Sequence, residues 1–323
     1  MSVRTQRFSV SIGVWILLYF ISLLIVYFNY SLHLTPISFH DVSFFSVNSY
    51  VAKGINFLIV VSNFTLISKI FHNRDRGIAG MNMGWVYLMM QNKIWFMQNV
   101  NQYLVNDFII LAVLLFINPQ EIKKRLNIFV FYLAMFFSIG FLLGVHFMYT
   151  FIIPILIFNF FLISDWKSWV IFILGFLLPI YFFITIASLL NIDFSLYFQS
   201  LLEYTMYKVM TFRMSNFEVL TQLHWTEGSV LLLTIGLVFI SGLKEWQDVN
   251  FYSTRERKLA LLFFFLMFFS LINYLFIFLI YHQYAPHVIA LPFAYYISHF
   301  INKVENKLGY FILFILVILT SFF

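Results

Sequence analysis

Cysteine is absent from this sequence and ionisable residues are scarce, with charged side chains at only 10% of 323 positions. The first absence excludes disulfides and thiolate metal sites, and it leaves the redox compartment open. The second excludes an ordinary soluble domain, whose surface needs far more polar coverage. What fills the chain instead is apolar: 62% of residues are hydrophobic, including 45 Phe and 19 Tyr. Mean hydropathy is +0.91. Water cannot satisfy backbone groups inside hydrocarbon, so a chain of this kind crosses a bilayer as helices or as a closed barrel. Its long uninterrupted apolar runs do not alternate as barrel strands do, which predicts an all-α polytopic membrane protein. The formal charge of +6 is scattered among loops and forms no groove-sized block. It reads as membrane anchoring, with no nucleic-acid partner. No soluble domain is visible, so the expectation is a single transmembrane domain over residues 1–323.

Threading the apolar segments through a bilayer gives about eleven spans. The first runs from about Phe8 to Phe28, flanked by Arg4 and Arg7 and followed by no A-x-A site, as in a retained signal anchor. The second, near Val51 to Phe71, ends at HNRDRG. Segments 78–90 and 103–117 are short for a hydrocarbon core about 30 Å thick, so they are tilted spans or partly re-entrant. The intervening QNKIWFMQNVNQ is too amide-rich to face lipid. Further spans are expected near 126–144, 147–163, 170–190, 229–243, 259–280, 287–301 and from Leu308 onward. Basic residues mark the cytoplasmic loops: Arg74 and Arg76, then Lys123 to Arg125, SDWKSW, KEWQDVNFYSTRERK and NKVENK. The positive-inside rule then puts the N-terminus in the cytoplasm and the C-terminus outside.

With that orientation, most histidines and a mixed set of charges collect on the side away from the cytoplasm. His40 and Asp41 lie in the first outer loop. Asp41 there is a candidate general base toward a hydroxyl, if apolar surroundings raise its pKa; a helix N-cap is the plainer role for the same residue. Lys208 and Arg213, in the long connection 191–228, are candidates for gripping a phosphate through charge-assisted hydrogen bonds. They could equally balance Glu203 and Glu218 at helical spacing. HQYAPH presents His282 and His287 at a span mouth, where imidazoles can donate to phosphate or shuttle a proton. Five residues across a proline is not the i, i+4 spacing of a helical metal pair, and no local carboxylate completes a site, so no metal is expected. The small-residue motifs GFLLG (Gly140 to Gly144) and GMNMG (Gly80 to Gly84) are read as close helix contacts.

The stretches IGFLLGVHFMYTFIIPILI, WKSWVIFILGFLLPIYFF and IALPFAYYISHF resemble the pattern of an uncharacterised family of polytopic inner-membrane proteins of Bacteroidota. That resemblance implies a bacterial inner-membrane location and no particular reaction. The layout is also similar to that of membrane glycosyltransferases that use polyprenyl-phosphate sugars, which carry an acidic residue in the first outer loop and cations in later ones. The similarity implies transfer of a sugar from a lipid carrier on the extracytoplasmic side. Asp41, beside His40, would be the catalytic acid position, and Lys208, Arg213, His282 and His287 would bind the carrier phosphate. His40 stands where that family's paired acidic signature has a second acid. No cofactor is implied. A transporter or lipid flippase is the alternative raised by the short third and fourth spans with Asn99, Asn101, Asn106 and Asp107. A non-catalytic membrane subunit of an envelope complex, held to a protein partner by GFLLG and GMNMG, is another.

Overall fold

Apolar residues with few breakers make helices the only inexpensive conformation for most of this chain. The computed structural model describes residues 11–32, 49–72, 77–92, 102–116, 119–142, 155–157, 165–189, 225–248, 254–281, 286–301 and 306–321. Among the described residues every regular element is helical and no strand occurs. The helices are α1 (Ile12–Leu32), α2 (Ser49–His72), α3 (Gly77–Met90), α4 (Gln102–Phe116), α5 (Pro119–Leu142) and α6 (Trp166–Leu189). They continue with α7 (Trp225–Asp248), α8 (Thr254–Tyr281), a 3-10 turn at Pro286–Ile289, α9 (Ala290–Ile301) and α10 (Asn306–Ser321). Of the span expected at 147–163, only 155–157 falls within the described residues.

Among the described residues, three helices contain segments long and apolar enough to cross a membrane: Tyr50–Phe71 in α2, Trp166–Leu189 in α6 and Glu256–Leu275 in α8. Shorter apolar stretches lie in α1, α4, α5 and α7. Only 17% of the α6 segment is buried, and its outward positions include Ile173, Leu177 and Tyr181. An apolar helix exposed over most of its surface suits hydrocarbon and not water. Several helices run past the apolar stretches that the sequence marks. Lys123 to Arg125 belong to α5, KEWQD to the end of α7, and TRERK to the start of α8, where loops are expected from hydropathy. Glu, Lys, Arg and Gln are good helix formers, so the backbone ladder continues beyond the hydrophobic segment. Pro119 opens α5, at the position where a missing N–H costs nothing.

The described helices divide into two compact units. The first contains α1, α2, α3 and α7 to α10. Here α2 and α3 form an antiparallel hairpin, α10 packs on α1 and α3, and α9 packs on α3, α7 and α8. Gly84 brings α3 against α2: a Cβ there would lie 2.7 Å from the Phe64 ring, as the GMNMG motif leads one to expect. Helix α9 is buried at every position from Ala290 to Ser298. Its Tyr295 stacks on Phe263 of α8 with centroids 4.1 Å apart, and Phe71 of α2 meets both rings at about 6 Å. Pro292 falls in the first turn of α9, where its absent amide would have had no intrahelical partner. His299 is tied into the same helix, its Nδ1 lying 3.0 Å from the Tyr295 carbonyl.

The second unit contains α4, α5 and α6. Its main contact is α5 against α6, centred on Gly175. A Cβ at Gly175 would come within 2.7 Å of the Phe131 carbonyl oxygen and 3.0 Å of the Ala134 methyl. Backbone cannot yield as a side chain can, so only glycine allows this approach. GFLLG lies partly outside the described residues, and the close contact described in this unit is at Gly175. Gly175→Ala is therefore expected to lower stability by about 1–3 kcal/mol through overpacking. Gly236→Ala, with open space around the added carbon, should be neutral or stabilising by up to about 1 kcal/mol. Thermal unfolding of the two purified variants compares them, and equal shifts would contradict the contact.

Helix α6 starts with a side-chain cap. Asp165 accepts a hydrogen bond from the Ser168 N–H at 2.8 Å, and its own carbonyl accepts the Trp169 N–H at 3.2 Å. The Ser168 hydroxyl, the Ser168 amide and, more weakly, Lys167 hold the Asp165 carboxyl below its ordinary range. A depressed pKa means that the cap is fully present above the ordinary carboxylate range, about pH 4. Its contribution is lost as the pH falls through the lower, folded value. Amide hydrogen exchange at Ser168 and Trp169, corrected for intrinsic rates, should show protection that is constant near neutrality and declines only below about pH 4. Asp165→Ala should abolish the protection of the Ser168 amide at every pH, because that bond alone is made by the side chain.

Candidate functional site

The first unit carries a set of uncharged polar side chains buried inside apolar helices. On α1, Trp15 and Ser22 are seven residues apart and share one face. On α2, Asn56 and Asn63 repeat that spacing. Helix α3 contributes Asn82, Trp85 and Tyr87, and Gln91 and Asn92 follow its last turn. Except for the partly exposed Trp85, all of these are at most 1% exposed. Such positions would ordinarily be Leu or Val in helices of this composition.

Hydrogen bonds between these groups lock three helices in register. The Trp15 Nε1–H donates to Asn82 Oδ1 at 3.0 Å, and Asn92 Nδ2 donates to Ser22 Oγ. Because Trp15 and Ser22 meet Asn82 and Asn92 in the same order, α1 and α3 run parallel. The antiparallel α2 is joined by Asn63 Nδ2, which donates to the Tyr87 hydroxyl at 2.9 Å. The Trp85 indole lies parallel to Trp15, with centroids 6.5 Å apart and planes at 4°. Tyr19 and Phe64 close around it at 6.3 and 5.6 Å.

Some hydrogen-bonding capacity here is unused. Neither the oxygen nor the nitrogen of the Gln91 side chain has a partner, and the same holds for Asn92 Oδ1 and Trp85 Nε1. An unmet buried amide costs about 1–3 kcal/mol. Helix α3 has 14 residues, so it rises only about 21 Å. Its end, with Gln91 and Asn92, falls short of a full crossing of a hydrocarbon core about 30 Å thick. The result is a neutral cluster of amide donors and acceptors beside indole faces. It can bind hydroxyl or amide groups; it contains no carboxylate, imidazole or amine, and its hydroxyls, on Ser22 and Tyr87, accept from Asn92 and Asn63. In the second unit, α4 buries Asn106 and Asp107 in its N-terminal half, and neither polar atom of the Asn106 side chain has a partner.

His40, Asp41, Lys208, Arg213 and His282 lie outside the described residues. His287 falls in the 3-10 turn Pro286–Ile289, with its side chain outside them. Among the described residues no three His, Asp or Glu side chains gather into a metal-sized group. The amide wealth after residue 90 is visible in the sequence; Trp15, Ser22, Asn56, Asn63 and Asn82 are not singled out by it. The signal that finds them is the seven-residue spacing of lone polar side chains along α1 and α2. No protein-family model, curated protein or solved structure matches this chain.

Replacing an unmet buried amide by an apolar side chain of similar size removes its desolvation penalty. Gln91→Met is thus expected to raise stability by about 1–3 kcal/mol. Trp15→Phe, which withdraws the donor from Asn82, should lower it by about 1 kcal/mol. Chemical or thermal denaturation of the purified protein reads both. A Gln91→Met protein less stable than the parent would show that this amide is already satisfied.

Proposed function

We propose that this chain is a multi-pass protein of a bacterial inner membrane, with its N-terminus in the cytoplasm and about eleven spans. In this reading it transfers a sugar from a polyprenyl-phosphate carrier to an acceptor on the extracytoplasmic side. The observation that supports it is the buried polar cluster on α1 to α3, where the Trp15 and Trp85 indoles stack beside Asn82. Uncharged amides beside indole rings suit the hydroxyls and the apolar faces of a sugar, and suit an ion or a purely apolar group poorly. The resemblance in layout to polyprenyl-phosphate-dependent glycosyltransferases points the same way, as analogy.

The chemistry would come from the outer segments. Asp41, beside His40, takes the proton of the acceptor hydroxyl, and the resulting oxygen attacks the anomeric carbon of the donor. The bond from that carbon to the phosphate oxygen breaks, and the polyprenyl phosphate leaves with the bonding electrons. Lys208, Arg213, His282 and His287 offset the charge that develops on it. The Gln91 and Asn92 amides orient the sugar, so their loss should weaken donor binding more than turnover.

A deletion strain complemented with variants tests the proposal by mass spectrometry of envelope glycans and glycolipids. Deletion should remove a glycosylated species that the parent gene restores. Asp41→Asn should fail to restore it, and Gln91→Met should restore it only partly at equal protein level. An unchanged profile on deletion overturns the proposal. A second reading, movement of a polar solute or lipid headgroup across the membrane, is favoured by the short α3 and α4 with buried polar groups at or near their ends. Retained solute flux in proteoliposomes by the Asp41→Asn protein, with no transfer product from the parent, would select it.

A further inference from the structure

Helices α7 and α8 both pack on α9, and between them runs a groove of about 620 Å³. That lies within the range of about 300–1,000 Å³ typical of ligand-sized clefts. Tyr296 of α9 lines it, and every other lining side chain is apolar, among them Val238 and Leu243 of α7 and Phe264, Phe265 and Met267 of α8. Its rim is open: Phe239 is 65% exposed and Phe268 52%. Gly242 also lines it, and a Cβ there would meet nothing within 4 Å.

We infer that this groove holds one hydrocarbon chain of an anionic membrane lipid, with Arg257 on the lipid's phosphate. The helical repeat places the cation on the groove's own stripe. At 3.6 residues per turn, positions 257, 261, 264, 268 and 271 lie within about 40° of one direction. The last four are groove residues, and the first is the exposed Arg257, one turn beyond Leu261. The run TRERK, Thr254 to Lys258, sets three cations against one carboxylate at the start of α8, while KEWQD, Lys244 to Asp248, carries one cation and two carboxylates at the end of α7. Helix α8 contains a membrane-length apolar segment starting at Glu256. An open apolar furrow on such a helix faces hydrocarbon, and its end falls at headgroup level, where a basic cluster attracts anionic lipid. The neutral amide cluster on α1 to α3 plays no part in this site. It is independent of sugar transfer, because Arg257 lies at the end of α8 expected to face the cytoplasm.

The test uses the full-length protein in phosphatidylcholine nanodiscs containing a small fraction of a probe lipid. One probe is phosphatidylglycerol with a diazirine in its acyl chain; the other is phosphatidylcholine labelled in the same way. After illumination, mass spectrometry maps the attached lipid. The phosphatidylglycerol probe should label Val238 to Leu243 and Leu261 to Leu271 about fivefold more than the phosphatidylcholine probe, the factor expected of one cation at a membrane surface. Arg257→Gln should remove that preference, and Gly242→Trp, which fills the groove, should remove labelling there by both probes. Gly242→Leu serves if the tryptophan variant does not fold. Equal labelling by the two probes in the parent, or labelling unaffected by filling the groove, would identify ordinary surrounding lipid and overturn the inference. Absence of labelling by either probe, as a protein helix seated in the groove would cause, overturns it as well.

Discussion

A polar group taken out of water must find a partner, and that constraint governs most of what distinguishes this chain from a bundle of greasy helices. The backbone meets it by helix formation, one bond per residue, which is why every regular element among the described residues is helical. Side-chain amides have no such automatic solution. Asn63, Asn82 and Asn92 can be buried only where a neighbouring helix presents a complement, and each does so through a different pair. The bonds are worth little individually, about 0.5–1.5 kcal/mol each. Their larger effect is on register. Sliding α1 by one turn against α3 would strand both Trp15 Nε1–H and the Ser22 hydroxyl, so every slipped arrangement is penalised.

The second unit answers the packing problem by shape instead. Between α5 and α6 the close approach at Gly175 lets a backbone carbonyl and a backbone Cα region face each other directly. No polar side chain is needed to fix the pairing, because one missing Cβ makes one arrangement closer than its neighbours. The cap at Asp165 sets where α6 begins. Pro179 inside the same helix leaves one backbone carbonyl without its usual donor. Thr185, six residues later, returns its hydroxyl to the Tyr181 carbonyl at 2.9 Å. Polar bookkeeping in α6 is thus local to the helix, whereas in α1 to α3 it runs between helices.

How much of this could be read in the sequence follows from the same distinction. Helix positions are governed by local composition, and the expected segments 78–90 and 103–117 match α3 and α4 to within a residue. Helix ends are less legible where charged helix formers follow the apolar stretch. Hydropathy registers the solvent boundary at Lys123 or Lys244, while the hydrogen-bond ladder passes straight through it. Gly84 was legible because GMNMG is a short-range pattern; Gly175 was not, since a single glycine in ILGFLLP carries no partner in its own sequence. The amide cluster was half legible. QNKIWFMQNVNQ announces its polarity by density, but Asn56 or Asn82 alone looks like an isolated tolerance in an apolar run. Its meaning depends on the parallel alignment of α1 with α3, a relation between segments about sixty residues apart. Asp41, Lys208 and Arg213, which only sidedness singles out, lie outside the described residues.

The unmet amide at Gln91 bears on function because of its energetic direction. Methionine would fill the same space without a desolvation penalty, so stability offers no reason for glutamine at this point. Asn92 and Trp85 add further unmet groups within the same three-helix cluster. Local rules of good packing are broken most often where a site must recognise something else. The open valences of the cluster are all neutral, and its walls include indole rings. A phosphate would need a cation, and the nearest-sequence candidate, Lys93, lies outside the described residues. A sugar needs none.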